Sequence, residues 1–169
     1  MKTLRIDLLA LELDQCSRCG ETLRNLERAV QAAAPALEAM GVATHVSRRV
    51  VASVADAEEL RFACSPTIRI EGRDIPGVVS ETPCDACSDL CGCSGEIACR
   101  VWPWQGEDHE AAPVGLLIEA IMREALGIGP QAGEAAWHGV PGNLKKYFVG
   151  REQKQVRTAP ACCGPACCA

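Results

Sequence analysis

The sequence predicts an α/β fold with elements in the order β-α-β-α-β-β-α, and three observations carry that prediction. Apolar runs of strand length alternate with segments of helical periodicity, and turn residues fall between them. The chain, at 169 residues, is also long enough for one domain with its own core.

Residues 3–13, TLRIDLLALEL, alternate and then become continuously apolar, as a largely buried strand does. Leu23, Leu26, Val30, Ala33, Leu37 and Met40 then recur at steps of three and four, which marks one face of a helix. Gly41 suits the C′ position after it, and Pro35 inside it predicts a kink or a late break. Residues 42–51 form a second expected strand, followed by a short acidic helix over 56–62. Ser65-Pro66 opens a third strand over 67–71, and Gly72 suits a tight turn. Residues 76–96 hold Pro, Gly, Ser, Asp and four cysteines with little periodicity, so an irregular loop is expected there. Residues 97–104, IACRVWPW, resume strand character. After Pro113, the spacing of Val114, Leu117, Ile118, Ile121 and Ala125 predicts a second long helix closed by Gly127. The expected division is therefore a domain over 1–127 with a cysteine-rich, metal-binding loop at 76–99 between its third and fourth strands. A linker with one short helix, capped by Asn143, spans 128–150, and a flexible tail spans 151–169.

Composition narrows the function. A net charge of −5 argues against a nucleic-acid binder, which needs a basic face. No apolar run approaches the roughly 20 residues of a membrane span, so no membrane insertion is expected. The N-terminus resembles a signal peptide, but Asp7 and Glu12 interrupt its apolar stretch and no small-residue cleavage site follows, so a cytoplasmic location is expected. Twelve cysteines fall in clusters rather than in the even scatter of a stapled scaffold, and in a reducing compartment clusters point to metal binding or catalysis. With only three histidines (His45, His109, His138), a metal site would be built mostly from thiolates. Trp102, Trp104 and Trp137 have no basic stripe around them and read as packing.

Cys16-Ser17-Arg18-Cys19 lies between the first strand and the first helix, and Ser65-Pro66 precedes the third strand. With the element order, these motifs resemble the thioredoxin fold over roughly residues 3–127. A nearer resemblance is to small, cysteine-rich, thioredoxin-like bacterial and archaeal proteins of uncharacterised function, which carry similar CSRC, SPTIRI.GRDI and CR.W segments. The resemblance implies that Pro66 is cis and packs beside the cysteine pair. In a thiol–disulfide oxidoreductase of this kind Cys16 would attack and Cys19 would resolve. Gln15, however, stands where thioredoxins proper carry an aromatic residue.

Cys16 at a helix start is placed where free N–H groups and the helix dipole favour a thiolate, with Arg18 adding a cation and Asp14 and Glu21 opposing it. Cys64, two residues before Pro66, is either a small buried hydrophobe or a third ligand beside Cys16 and Cys19. Three such thiols suit an exchangeable soft ion or metalloid. A second group, Cys84, Cys87, Cys91 and Cys93, has C-x2-C-x3-C-x-C spacing, with Cys99 after five more intervening residues. Zinc takes four thiolates and would order such a loop, whereas the spacing matches neither ferredoxin pattern, so an iron–sulfur cluster fits less well. The third strand runs away from the Cys16 end, so the two groups are expected about 17–20 Å apart as two sites, although the loop is long enough to fold back.

The tail, ACCGPACCA, carries Cys162-Cys163 and Cys167-Cys168, a possible auxiliary sink for soft ions. It is similar to the vicinal cysteine pairs of arsenic metallochaperones. The expected function is thus a thioredoxin-like thiol protein that binds soft metal or metalloid ions, zinc first and arsenite as a candidate cargo, in detoxification or delivery to a metal transporter. The alternative is a thiol–disulfide oxidoreductase using Cys16, Cys19 and Pro66 with a redox partner.

Overall fold

In a computed structural model, the structure describes residues 2–75, 80–128 and 137–158. Within them the chain forms β1 (Lys2–Ala10), α1 (Ser17–Ala39), β2 (Val42–Val50), α2 (Val54–Glu59), β3 (Thr67–Ile70) and β4 (Arg73–Ile75). It continues with β5 (Ser80–Pro83), α3 (Asp85–Cys91), β6 (Ala98–Trp104), β7 (Glu107–His109), α4 (Val114–Ala125) and α5 (Gly142–Thr158). This is a mixed α/β architecture, with a four-stranded sheet in the order β2-β1-β3-β4 and a three-stranded sheet in the order β5-β6-β7.

Strand β1 is central because its side chains are apolar on the inward face, with Leu4, Ile6 and Leu8 fully buried. It pairs parallel with β2, from Lys2 opposite Val42 to Ala10 opposite Val50, and α1 makes the crossover. It pairs antiparallel with β3, Ile6 facing Ile70 and Leu8 facing Ile68. Helix α1 lays Leu26, Ala29, Ala33 and Leu37 on this sheet beside Leu117 and Ile121 of α4, completing the first core. The helix passes through Pro35 without a break and ends at Met40 and Gly41, the latter at φ +70°. Helix α2 starts where Ser53 accepts a hydrogen bond from the Asp56 N–H at 3.0 Å.

Two departures from the sequence expectation position the functional site. First, Ile70-Glu71-Gly72-Arg73 is a tight hairpin with positive φ at Glu71 (51°) and Gly72 (78°). Strand β4 therefore returns alongside β3, Ile75 opposite Ile68, and brings the following segment back toward the Cys16 end. Second, the segment expected as an irregular loop holds β5 and α3. The strand at 98–104 is not the fourth strand of the main sheet but the centre of the second sheet. The physical reason lies in the spacing of Cys84, Cys87 and Cys91, which at steps of three and four share one helical face; Cys87 and Cys91, with Ser88, are buried on α3. The Arg100 N–H donates to the Ser65 carbonyl at 2.7 Å, which ties β6 to the turn before β3.

The last helix is longer than the expected 143–149, and its apolar face of Leu144, Tyr147 and Phe148 covers a second core. That core lies beyond the C-terminal end of β1 and contains Leu9, Leu11, Val51, Phe62, Ile97 and six cysteines.

Candidate metal centre

The second core is where the chain collects its thiols. Cys16 is the N-cap residue of α1 and Cys84 the N-cap residue of α3; neither side chain caps its own helix, so both sulfurs are available to each other. The Cys16 Sγ stands 3.9 Å from Cys84 Sγ and 3.8 Å from Cys87 Sγ, and Cys99 Sγ lies 3.4 Å from Cys87 Sγ. Among the described residues, Cys16, Cys84 and Cys87 form a group whose sulfurs all lie within 4.8 Å of one another and which can hold a metal ion. Cys99, on β6 opposite Thr82 of β5, falls outside that mutually close group but places a fourth thiol beside it, 3.4 Å from Cys87. All four are at most 3 % exposed.

Several contacts hold the two cysteine groups together. The Arg18 guanidinium, in the first turn of α1, donates to Thr82 Oγ1 at 2.8 Å and to the Pro83 carbonyl at 3.0 Å, and pairs with Glu110. This clamps β5, and with it Cys84, against the start of α1. The Cys84 N–H donates to the Ile97 carbonyl at 2.8 Å, and the Ile97 N–H to Ser88 Oγ at 3.2 Å, so α3 is closed onto the entrance of β6. From the other side α5 lays Leu144, Tyr147 and Phe148 over the core, and the Tyr147 hydroxyl donates to the Leu11 carbonyl at 3.4 Å. Arg18, read from the sequence as a cation near Cys16, directs its hydrogen bonds to β5 and to Glu110. The roles of Tyr147 and Phe148 were not foreseen. Their sequence signal is an apolar stripe in the short helix expected over 143–149.

Electrostatically the thiols share a proton economy. Cys16 is held far below the ordinary thiol value by hydrogen bonds from Cys19, Cys84, Cys87 and Cys99, against the opposing effect of burial. Those neighbours keep their protons in turn. Cys19 is raised by its bond to Cys16 and by burial, Cys87 by Cys16 and Cys84, and Cys99 by Cys16, Cys84 and Cys87. Cys84 is pushed up by Cys16 but pulled down by Cys87 and Cys99, and settles at about 7.

The remaining expected residues fall elsewhere. The two cysteine groups are not 17–20 Å apart, because the β3–β4 hairpin brings the chain back and Cys16 meets the loop cysteines directly. Cys19 Sγ, besides its bond to Cys16, meets Ser65 Oγ at 3.5 Å, and that hydroxyl accepts from the Leu11 N–H at 3.0 Å. The Ser65–Pro66 bond is cis. Cys64 is fully buried and contacts Thr67 Oγ1 at 3.6 Å; burial raises its thiol, with the Arg100 guanidinium opposing. It is not part of the close group around Cys16. Cys91 and Cys93, expected among the loop ligands, are joined in a disulfide, which takes both out of the thiolate set. Cys162, Cys163, Cys167 and Cys168 lie outside the described residues. Trp102 is core and stacks under Arg100 at 4.5 Å, and Trp137 donates to Glu58 at 3.0 Å. No helix among the described residues is long and apolar enough to cross a membrane.

Fold and site together define a mixed α/β protein with a buried cluster of thiols enclosed by two helix starts and a strand. The chain belongs to the family described as a domain of unknown function, DUF2703, which matches residues 4–121. That match takes in Cys16, Cys84, Cys87 and Cys99 but stops before α5. No curated protein and no solved structure matches the chain.

Proposed function

We propose that this protein binds one soft metal or metalloid ion through Cys16, Cys84, Cys87 and Cys99. The observation that carries the proposal is the sulfur spacing. Four thiolates about 2.3 Å from a single zinc ion stand about 3.8 Å apart at the corners of a tetrahedron. The Cys16–Cys84 and Cys16–Cys87 separations are 3.9 and 3.8 Å, which suits three of the four thiols, and Cys99, 3.4 Å from Cys87, is the fourth donor that would close in to complete the set. Thiols bound to different irons of an iron–sulfur cluster would stand further apart, so a single ion suits the donor set better. Zinc is the first candidate, and a metalloid such as arsenite would use three of the four thiols. Full burial favours a tightly held ion that orders α3 and β6, because the site has no open position. This revises the expected exchangeable set of Cys16, Cys19 and Cys64.

A thioredoxin-like kinship is supported by the parallel β1-α1-β2 unit, the antiparallel β3-β4 pair, the cysteine pair at the start of α1 and the cis Ser65–Pro66 bond. The same features support a second activity, thiol–disulfide exchange by Cys16 and Cys19. The two activities compete for one sulfur, since Cys16 cannot serve a disulfide and the ion together. A role in detoxification or metal delivery in the cytoplasm is the setting in which such a site would serve.

Elemental analysis of protein purified without chelators tests the proposal. About one ion per chain is expected, falling below one tenth in Cys16→Ser. An unchanged metal content in Cys16→Ser would overturn the assignment of that ligand. Disulfide reductase activity that is equal with and without bound metal would count against the competition for Cys16.

A further inference from the structure

The metal centre leaves one pair of cysteines unused. Cys91 and Cys93 form a disulfide at the end of α3, with Gly92 between them in the left-handed C-cap conformation (φ +68°). The two are separated by only two positions, so the bond constrains the unfolded chain less than a long-range bridge would. Cys91 is buried, whereas Cys93 is half-buried and is the sulfur an incoming thiol can reach. The pair borders a cavity of about 460 Å³, within the range of about 300–1,000 Å³ that small-molecule sites occupy. Helix α5 forms the other wall, and it approaches the disulfide closely only because residue 150 is glycine. A Cβ there would lie 2.5 Å from the Cys91 carbonyl oxygen and 2.9 Å from Cys93 Sγ.

We infer that the Cys91–Cys93 disulfide is a second redox site, which exchanges with a small thiol carrying a carboxylate on either side of its sulfur. Three observations carry this. The first is charge. Lys145, Lys146, Arg157 and Glu96 line the cavity, and Lys146 is paired with Glu96 at 2.9 Å. Among the described residues Lys145 and Arg157 make no ion pair, so two cations face an incoming anion. Cations also favour the thiolate that must attack. The second is placement. Lys145 precedes Gly150 by five residues and Arg157 follows it by seven, about 8 and 11 Å along the helix. The two cations therefore flank the disulfide, as two carboxylates flank the sulfur of a short acidic peptide thiol. The third is that the reduced state is already accommodated. The Ser88 carbonyl lies 3.4 Å from Cys91 Sγ and the Lys146 carbonyl 3.7 Å from Cys93 Sγ, so each thiol released has an acceptor.

The acidic thiol is the reductant, and the exchange balances with two molecules of it. The thiolate of the first attacks Cys93 Sγ, a ligand–Cys93 bond forms, the Cys91–Cys93 bond breaks, and Cys91 leaves as a thiolate that takes up a proton. The second molecule's thiolate attacks the ligand sulfur and expels Cys93, which is protonated in turn. Two electrons and two protons pass from the two thiols to Cys91 and Cys93, and the ligand leaves as its own disulfide. The reverse sequence reoxidises the pair. No sulfur of Cys16, Cys84, Cys87 or Cys99 takes part, so the inference does not depend on what they bind.

The test uses the full chain, with glutathione as the acidic thiol and cysteamine as a cationic one. Quenched, alkylated samples are peptide-mapped for the Cys91 and Cys93 thiols alone, so reaction at other cysteines does not enter the readout. At equal thiolate concentration and low salt, glutathione should open the disulfide about tenfold faster than cysteamine. The preference should shrink as salt is raised. Charge reversal at two exposed positions, Lys145→Glu with Arg157→Glu, should abolish it by slowing glutathione about tenfold without slowing cysteamine. In Cys91→Ser the thiol that would expel the ligand is gone, so oxidised glutathione should leave a stable mixed disulfide on Cys93. The inference is overturned if air-oxidised protein carries Cys91 and Cys93 as two thiols, or if the two reagents open the bond at equal rates. It is also overturned if charge reversal leaves the preference unchanged. Loss of metal in these variants would bear on the four-thiol centre and not on this exchange.

Discussion

Replacing Cys99 by serine separates the two ways in which the buried thiols could be grouped. Cys99 Sγ lies 3.4 Å from Cys87 Sγ, whereas Cys64 Sγ contacts Thr67 Oγ1 at 3.6 Å. A structural thiolate site is worth about 10–16 kcal/mol, so one of four ligands accounts for about 2.5–4 kcal/mol if the contributions are equal. At 1.4 kcal/mol per decade, that is a loss of about 10²- to 10³-fold in zinc affinity for Cys99→Ser. Cys64→Ser should stay within about threefold of the unsubstituted protein, because its thiol contributes packing and one contact to Thr67. Competition titration against a chromophoric chelator measures both. The reasoning is refuted if Cys64→Ser loses as much affinity as Cys99→Ser, which would restore a site built from Cys16, Cys19 and Cys64.

Two further outcomes follow from particular contacts. Zinc affinity should fall as pH falls, because ligands must lose protons to bind and Cys87 and Cys99 carry theirs at neutral pH. With Cys84 titrating at about 7, binding should release about two protons at pH 8 and about three at pH 6, measurable with a pH indicator in weak buffer; a constant release over that range would contradict the proton sharing described above. Gly150→Ala should destabilise despite its helical setting. The helix gains about 0.5–1 kcal/mol from alanine, but a Cβ 2.5 Å from the Cys91 carbonyl oxygen costs about 1–3 kcal/mol in displaced packing. Thermal unfolding should therefore fall by a few degrees, whereas Gly142→Ala, with nothing within 4 Å of its Cβ, should not lower it. Equal behaviour of the two variants would refute the close packing of α5 on the disulfide.

Much of the fold was legible because its periodicities are long and its punctuation is strong. The β1-α1-β2 unit follows from an apolar run, a six-position helical stripe and Gly41, and the structure places all three nearly where the sequence does. The second sheet was not legible, since its outer strands, β5 and β7, hold four and three residues and carry no alternation of their own. The thiols themselves were visible as candidates, yet their grouping depended on a reversal of chain direction. That reversal is written in Ile70-Glu71-Gly72-Arg73, where Gly72 was read as a turn but the short strand after it was not. Helix α3 was hidden because its buried face is made of cysteines. The spacing of Cys84, Cys87 and Cys91 suits metal ligands, and the same spacing is one face of a helix. Cys91 then turned away from the thiolate set to pair with Cys93. Helix α5 begins where a segment rich in glycine, proline and alanine ends, and the stripe of Leu144, Tyr147 and Phe148 is long enough to predict a short helix over 143–149 but not its run to Thr158.

The central claim is that one ion sits among four thiolates drawn from both cysteine groups. X-ray absorption at the zinc edge, on full-length protein carrying one equivalent of zinc, tests it most directly. The account predicts four sulfur neighbours at about 2.3 Å and no second metal nearby, with three sulfurs remaining in Cys16→Ser once zinc is added back at concentrations above its weakened affinity. A first shell containing nitrogen or oxygen, or four sulfurs still present in Cys16→Ser, would contradict it.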